Sequence, residues 1–325
     1  MAGTGRTNPY GKACWITWER HQRSVSISSE LQIPLVELNR PGGRLARYWG
    51  NTLATVRTLF AERHERVFVQ APSVVLGCLA IFIARLRGFR VIVDAHNAIV
   101  EGAENASFPL RSIYRWLLRR ADLVIVTNSF LAERASVFGG HYAVLPDPVP
   151  SFRAPPGTDG DHSSVVVIST WAADEPIEEV LRASALLPAS LTMTITGRPK
   201  GPAAALAAQY PRVRLSGFVS HADYLQMLAR ARVVVDLTTR EDCLVCGAYE
   251  SLALGRPLVV SDTRALRALL GNAAVYAKNN SADLAAAIQS AAADHSALEH
   301  RCDERREQYL VEWRAFTVRL EQLVS

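Results

Sequence analysis

The sequence has little of what marks several large protein classes. Its 325 residues include five cysteines, at positions 14, 78, 243, 246 and 302, an odd number at irregular spacing. That is no disulfide framework, and a chain of this length buries enough surface to fold without one. The opening MAGTGRTNPYGKACW has no apolar core of the kind a secretory signal carries. The expected setting is therefore a reducing cytoplasm. The longest candidate membrane segment, Val74 to Ala84, has eleven residues with a glycine inside; a spanning helix needs about twenty. No G-x-G-x-x-G, G-x-x-x-x-G-K-[ST] or G-x-S-x-G follows a strand-like run, which removes simple nicotinamide, flavin, P-loop and serine-hydrolase readings. Cys243-Leu-Val-Cys246 lacks the second ligand pair that zinc needs, so no metal site is expected. Lysine is scarce too, at three of 36 basic residues.

What is present is a globular composition, 49% hydrophobic and 21% charged. The net charge of +5 is unevenly spread: residues 1–150 hold 18 basic and 11 acidic residues, the remainder 18 and 20. A basic first half suits an anionic partner, whether a phosphorylated substrate, a membrane surface or nucleic acid. No nucleic-acid motif accompanies the charge, so that partner is not expected. The helix-like stretch Val74–Arg87, with Trp49, Tyr114, Trp116 and the arginines at 111, 115, 119 and 120, reads in two ways. It is a set of core helices with basic outer faces, or a basic and aromatic surface suited to a bilayer interface.

Short apolar, β-branched runs alternate with helical patterns. Strands are expected at Ala13–Trp18, Val67–Gln70, Val91–Asp94, Leu123–Thr127, Val165–Thr170, Leu191–Thr196, Val233–Leu237 and Pro257–Ser261. Helices are expected at Leu45–Arg63, Val74–Arg87, Leu110–Arg120, Ile177–Leu187, Ala222–Ala231, Cys246–Leu254 and Ser281–Ala293. Continuously apolar strands belong to parallel sheets buried on both faces. The alternation breaks at Leu145-Pro-Asp-Pro-Val-Pro150 and resumes at Ser163, with Pro155–Asp161 as linker. This predicts an α/β protein of two Rossmann-like domains with a central cleft: residues 1–150, and residues 151–302. The charged stretch Arg301–Leu323 carries Tyr309, Trp313, Phe316 and Leu320 at helical spacing, and a closing helix over 303–325 is expected to pack back on the first domain.

Ligands of open parallel sheets sit at the carboxyl ends of the strands. The segments that follow strands are Trp18–Ser24, Asp94-Ala-His-Asn97, Ser169–Asp174, Gly197-Arg-Pro-Lys-Gly201 and Arg240–Glu250. Each mixes small residues with charge.

Val233–Asp262, VVVDLTTREDCLVCGAYESLALGRPLVVSD, resembles the donor-site signature of GT-B glycosyltransferases, notably glycosyltransferase family 4. Asp242, seven residues, Glu250 and then Leu252-Ala-Leu-Gly-Arg-Pro257 carry the match; the family pattern usually begins with Glu, here replaced by Asp242 with Glu241 beside it. Val69-Gln-Ala-Pro-Ser73, Asp94-Ala-His-Asn97, Val144-Leu-Pro-Asp147, Ser169-Thr-Trp with Asp174-Glu175, Thr196–Pro202 and Arg23-Ser24 resemble the chitobiosyl-diphosphodolichol β-1,4-mannosyltransferases. The resemblance implies a GT-B fold with a C-terminal crossover helix. It implies a nucleotide-sugar co-substrate with no other cofactor and no metal.

Glu250 would accept the ribose hydroxyls, and Leu244, Val245, Cys246 and Gly247 would open a helix whose N–H groups bind phosphate. Ser169 and Thr170 would also bind the donor. The Arg and Lys that family 4 enzymes often place after the first strand of the second domain are missing, so Arg198 and Lys200 are assigned to the leaving diphosphate. Asp242 would hold donor-sugar hydroxyls. His96 would contact the donor sugar or act as acid or base, and Glu19 is the other candidate base. Arg20, Arg23, Ser24 and Asn97 fall to the acceptor.

The expected reaction transfers a hexose, from GDP-mannose or a UDP-sugar, to a saccharide on a polyprenyl diphosphate. The expected place is the inner, cytoplasmic face of the cell membrane, with peripheral attachment. Rival readings are a nucleotide-sugar epimerase and a degenerate GT-B subunit that binds a partner without turnover.

Overall fold

The structure, a computed structural model, describes residues 9–71, 73–152, 161–199 and 202–325. It divides into two compact units, Met1–Pro148 with Glu312–Ser325, and Val149–Val311. Most of the expected linker at 155–161 lies outside the described residues, as does Lys200.

The first unit runs β1 (Ala13–Thr17), α1 (Gln22–Glu30), β2 (Leu35–Glu37), α2 (Arg44–Ala61), β3 (Arg66–Gln70), α3 (Val74–Arg87) and β4 (Arg90–Asp94). It continues with α4 (Asn97–Asn105), α5 (Leu110–Arg120), β5 (Leu123–Val126), α6 (Ser129–Ser136) and β6 (Tyr142–Val144). The six strands form one sheet in the order β2-β1-β3-β4-β5-β6, and every pairing is parallel. β4 and β5 are apolar without alternation because helices cover both sheet faces. Ser73 and Asn128 cap α3 and α6 by accepting the Leu76 and Leu131 N–H. Gly88, at φ +78°, closes α3 in the left-handed conformation that costs glycine nothing.

The second unit holds β7 (Asp161–Ile168), α7 (Ile177–Leu186), β8 (Thr192–Thr196), α8 (Pro202–Ala207), β9 (Val213–Gly217) and α9 (His221–Arg230). β10 (Ala231–Asp236), α10 (Cys246–Leu254), β11 (Leu258–Ser261), α11 (Arg264–Leu270), β12 (Ala274–Ala277) and α12 (Ser281–Ala293) follow. Its parallel sheet has the order β12-β11-β10-β7-β8-β9. α13 (His295–Val324) closes the chain as one helix of 30 residues, which begins well before the expected 303–325. Its Tyr309 ring meets Tyr249 edge-on at 5.8 Å in the second unit. Farther on, Trp313 donates its indole N–H to Pro146 O in the first unit, and Arg90 holds the carbonyls of Leu323, Val324 and Ser325.

In each sheet the chain leaves the first strand in one direction and later returns to its other side. The reversals fall between β1 and β3, and between β7 and β10. Such switch points leave a crevice at the strands' carboxyl ends, where ligands of this fold class bind.

Candidate functional site

At the first switch point the strand ends supply Thr17, Gln70 and Asp94, and the connections supply His21, Arg23 and His96. Within segment 18–24, α1 begins at Gln22 and takes in Arg23 and Ser24. Arg23 is buried, and its Nε and Nη2 donate to the Asp94 carboxylate at 2.8–3.1 Å. Nη1 donates to Asp147 at 2.9 Å, and Nη2 also to Leu145 O at 2.8 Å. A buried guanidinium needs such partners. Arg23, expected at the acceptor, ties β4 to the segment after β6. Ser24, also expected at the acceptor, is fully buried, its hydroxyl without a partner among the described residues. Asn97 is buried in the first turn of α4, while Glu19 and Arg20 are exposed.

His96 sits on top of this ion pair as the N-cap residue of α4. Its ring packs edge-on against His21 at 4.7 Å, with Nε2 3.7 Å from Asp94 Oδ2. The Thr17 hydroxyl donates to Gln70 Oε1, which turns the Gln70 amide nitrogen toward His96 Nε2 at 3.5 Å. Burial pushes the His96 pKa down to about 4; Asp94 opposes the shift and Arg23 and His21 add to it. His21 is lowered as well, chiefly by burial. Both rings are thus neutral near pH 7, and His96 offers hydrogen bonds instead of an imidazolium.

At the second switch point Glu175 organises the loop after β7. Its carboxylate accepts from the Ser169 hydroxyl at 2.5 Å, the Thr170 N–H and hydroxyl at 3.0 and 2.8 Å, and the Trp171 N–H at 2.9 Å. Trp171, at φ +61°, donates its indole N–H to Thr196 O. Asp174 accepts from the Thr238 hydroxyl and pairs with Arg240 at 3.4 Å, joining the ends of β7 and β10. The expected donor-binding groups of Ser169 and Thr170 are therefore engaged with this internal carboxylate.

Glu250 is half-buried on α10 and accepts from the Tyr224 hydroxyl of α9. Burial raises its pKa, while Tyr224 and His221 oppose the rise. Burial first, then Glu250, raises Tyr224. The His221 ring stacks on Tyr224 at 6.4 Å and meets Phe152 edge-on at the same distance. α10 starts at Cys246 with Val245 as N-cap residue, and no side chain caps it. Its Gly247 N–H, expected to face a phosphate, instead donates to Asp236 Oδ2 at 2.8 Å. Asp236 is buried, and its pKa lies well above the usual carboxylate range because of that burial and of Glu250, Glu175 and Asp174 nearby. Leu244 is half-buried and Cys246 exposed.

Asp242, expected at the donor-sugar hydroxyls, is held inside the second unit. It is 2% exposed and paired with Arg264 at 2.7 and 3.2 Å, while Glu241 accepts the Arg264 N–H at 2.7 Å. Both carboxylates fasten the loop to α11. Arg198 is exposed, its guanidinium 5.6 Å from the Phe218 ring centroid. All five cysteines are outside disulfides, and among the described residues no group of His, Cys, Asp and Glu could hold a metal ion.

Sequence reasoning missed Tyr224 and His221, which lie on α9 well before Glu250 and share no local pattern with it. Asp236 had a signal: like Asp94 it ends a continuously apolar strand, RVVVD beside RVIVD.

Residues 13–148 match the family described as Glycosyl transferase 4-like domain, and residues 163–294 match Glycosyl transferases group 1. The chain belongs to the GT-B glycosyltransferases. No curated protein matches it by sequence. Among solved structures, Anabaena HepE in complex with UDP and glucose superposes with a TM-score of 0.72 at 15% identity, covering 95% of this chain and 99% of that one. Sucrose-phosphate synthase from Thermosynechococcus elongatus gives 0.70 at 18% identity, covering 94% and 84%. A UDP-forming trehalose-phosphate synthase from Burkholderia xenovorans gives 0.71 at 10% identity, covering 95% and 100%. At these identities the likeness is one of fold, and it extends over nearly the whole glycosyltransferase chain. No helix among its described residues is long and apolar enough to cross a membrane.

Proposed function

We propose that this glycosyltransferase takes a hexose from a nucleoside diphosphate sugar, GDP-mannose or a UDP-sugar, and passes it to a saccharide carried on a polyprenyl diphosphate. The proposed place is the cytoplasmic face of the membrane, and no metal ion takes part. The observation that carries the donor half is Glu250. It is a half-buried carboxylate beside the β7/β10 switch point, held by Tyr224, and able to accept from two vicinal hydroxyls as a ribose presents them. The Tyr224 and His221 rings next to it offer apolar faces to the nucleoside. Arg198 is the exposed cation assigned to the leaving diphosphate. In the first unit, neutral His96 gives or takes a hydrogen bond at a sugar hydroxyl, and exposed Glu19 is the candidate base should the reaction invert the anomeric centre.

The HepE structures contain UDP with glucose, and UDP-glucose, which supports a nucleotide-sugar donor here. The test is thermal stability of the purified chain with GDP, UDP, ADP or CMP. A ligand at a hundred times its dissociation constant adds about 2.7 kcal/mol. A selective shift with GDP or UDP that Glu250→Ala abolishes is the expected result. Sugar transfer to a lipid-linked saccharide in the presence of EDTA then tests the acceptor and the metal-free reaction.

A second reading, a binding subunit without turnover, has one observation in its favour. The loop after β7 carries no Arg or Lys, and its N–H groups face Glu175. It takes first place if no nucleotide shifts the protein.

A further inference from the structure

The outer face of the first unit is unlike the rest of the molecule. α2, α3 and α5 pack side by side on one side of the sheet, α3 touching both neighbours: Arg87 stacks on Phe60 at 5.3 Å, and Phe82 on Trp116 at 5.4 Å. These three helices contain nine arginines and no Asp or Glu, in a chain with 31 acidic residues. None of the nine forms an ion pair with a carboxylate among the described residues. The same helices carry nine of the eighteen large apolar side chains that stand exposed among the described residues. Leu45, Trp49, Leu53 and Phe60 fall within an arc of about 80° at 3.6 residues per turn, and Leu45 and Trp49 are 79% and 76% exposed. Phe82 and Leu86 continue the stripe on α3, with Arg85 and Arg87 beside them.

We propose that this face docks on an anionic lipid bilayer, the apolar stripe entering the headgroup boundary and the arginines meeting lipid phosphates. The inference deepens the membrane-face reading above and rests on it only for the acceptor's location. Charge selects this occupant over the others. A second copy would bring nine arginines against nine, which repels. A nucleic acid would satisfy the arginines and leave exposed Leu and Phe side chains against phosphate and water. Anionic lipid satisfies both at once.

The test uses the full chain with vesicles of phosphatidylcholine alone, or mixed with phosphatidylglycerol, in a sedimentation assay at low and high salt. The expected result is binding to the mixed vesicles only, weakened by salt. Arg44→Gln, Arg47→Gln and Arg57→Gln should each lower the partition coefficient about fivefold. The double variant Trp49→Ser with Leu86→Ser should lose binding that salt does not modulate. Circular dichroism and the nucleotide thermal shift should stay as in the parent, because these side chains lie at the surface of the first unit and Glu250 belongs to the second. Three results overturn the inference: no binding to mixed vesicles, equal binding to neutral ones, or a solution dimer by light scattering that the double variant dissociates. If vesicle binding fails while the nucleotide shift survives, the docking face falls and the transferase reading stands; the reverse outcome separates them the other way.

Discussion

Acidification destabilises the first unit through His96, by an amount set by its proton affinity. In an unfolded chain the imidazole titrates near pH 6.5, and in the folded protein burial depresses that value to about 4. Between these two values the unfolded state binds a proton that the folded state refuses. Stability from this group is therefore intact above pH 6.5 and is lost as the pH falls toward 4. At about 1.4 kcal/mol per pH unit, the loss by pH 4 amounts to about 3 kcal/mol. The perturbation is His96→Gln, which keeps a hydrogen-bonding side chain of similar reach and removes the titration. Denaturant unfolding of parent and variant is compared at steps from pH 7.5 to pH 4, and the difference between the two curves isolates the histidine from the carboxylates. The parent should lose about 3 kcal/mol more than the variant over that range. His21 shifts in the same direction and remains in both proteins. An imidazole Cε1–H resonance of His96 that titrates near pH 6.5, or parallel acid curves, would refute the reasoning.

Glu250→Gln should weaken nucleotide binding ten- to a hundredfold without unfolding the protein, since a hydrogen bond to a charged group contributes about 1.5–3 kcal/mol; calorimetry with GDP and UDP reads this. Arg23→Met leaves Asp94 buried without its cation and should cost about 3–5 kcal/mol, seen as loss of the first unit's unfolding transition at lower denaturant. Gly247→Ala puts a methyl group against Ile168 and 2.5 Å from Asp236 Oδ2, so the second unit should lose about 1–3 kcal/mol. Asp236→Asn keeps the acceptor for the Gly247 N–H and removes a carboxyl whose folded pKa is raised. That carboxyl's contribution is present at acid pH and is lost as the pH rises through its folded pKa. The variant's Tm should therefore exceed the parent's at pH 8 and converge with it near pH 4; a gap of equal size at both pH values would contradict the assignment.

All eight strands expected from sequence are present, and the four that were missed are the four sheet edges: β2, β6, β9 and β12. A central strand is buried on both faces and shows a continuous apolar run, whereas an edge strand pairs on one side and stays partly exposed. β9 reads VRLSG and β2 only LVE, which carry no such signal. Several missed helices have a similar origin. α1 reads QRSVSISSE, with the apolar positions of a helix replaced by serine, and α4 begins at Asn97, directly after a strand end. At the candidate sites, residue type marked chemistry but not whether a side chain is spoken for. Arg23 and Asp242 look like ligand groups in the sequence; folding gives each an ion-pair partner elsewhere in the chain, buried Asp94 for Arg23 and exposed Arg264 for Asp242. Glu250 was legible because a local pattern carries it, and Tyr224 was not, because only the fold brings α9 beside α10.

The basic first half of the sequence suggested an anionic ligand, and the fold shows where that charge resides. Outside α2, α3 and α5 the first 150 residues hold nine basic and eleven acidic residues, so the excess belongs to the outer helices and not to the strand ends. The carboxyl ends of the second sheet carry Asp174, Glu175, Asp236 and Glu250, an unpromising approach for a diphosphate on formal charge alone. Burial offsets part of this. Burial raises the proton affinity of Asp236 and Glu250, and Asp174 is paired with Arg240. Glu175 is turned into the loop's own N–H groups and not toward solvent cations. A diphosphate bound in this unit would thus compete with Glu175 for those N–H groups or rely on Arg198 in their place. Arg198→Ala separates the two: a large loss of nucleotide affinity places the phosphates on the arginine, and an unchanged affinity places them on the loop.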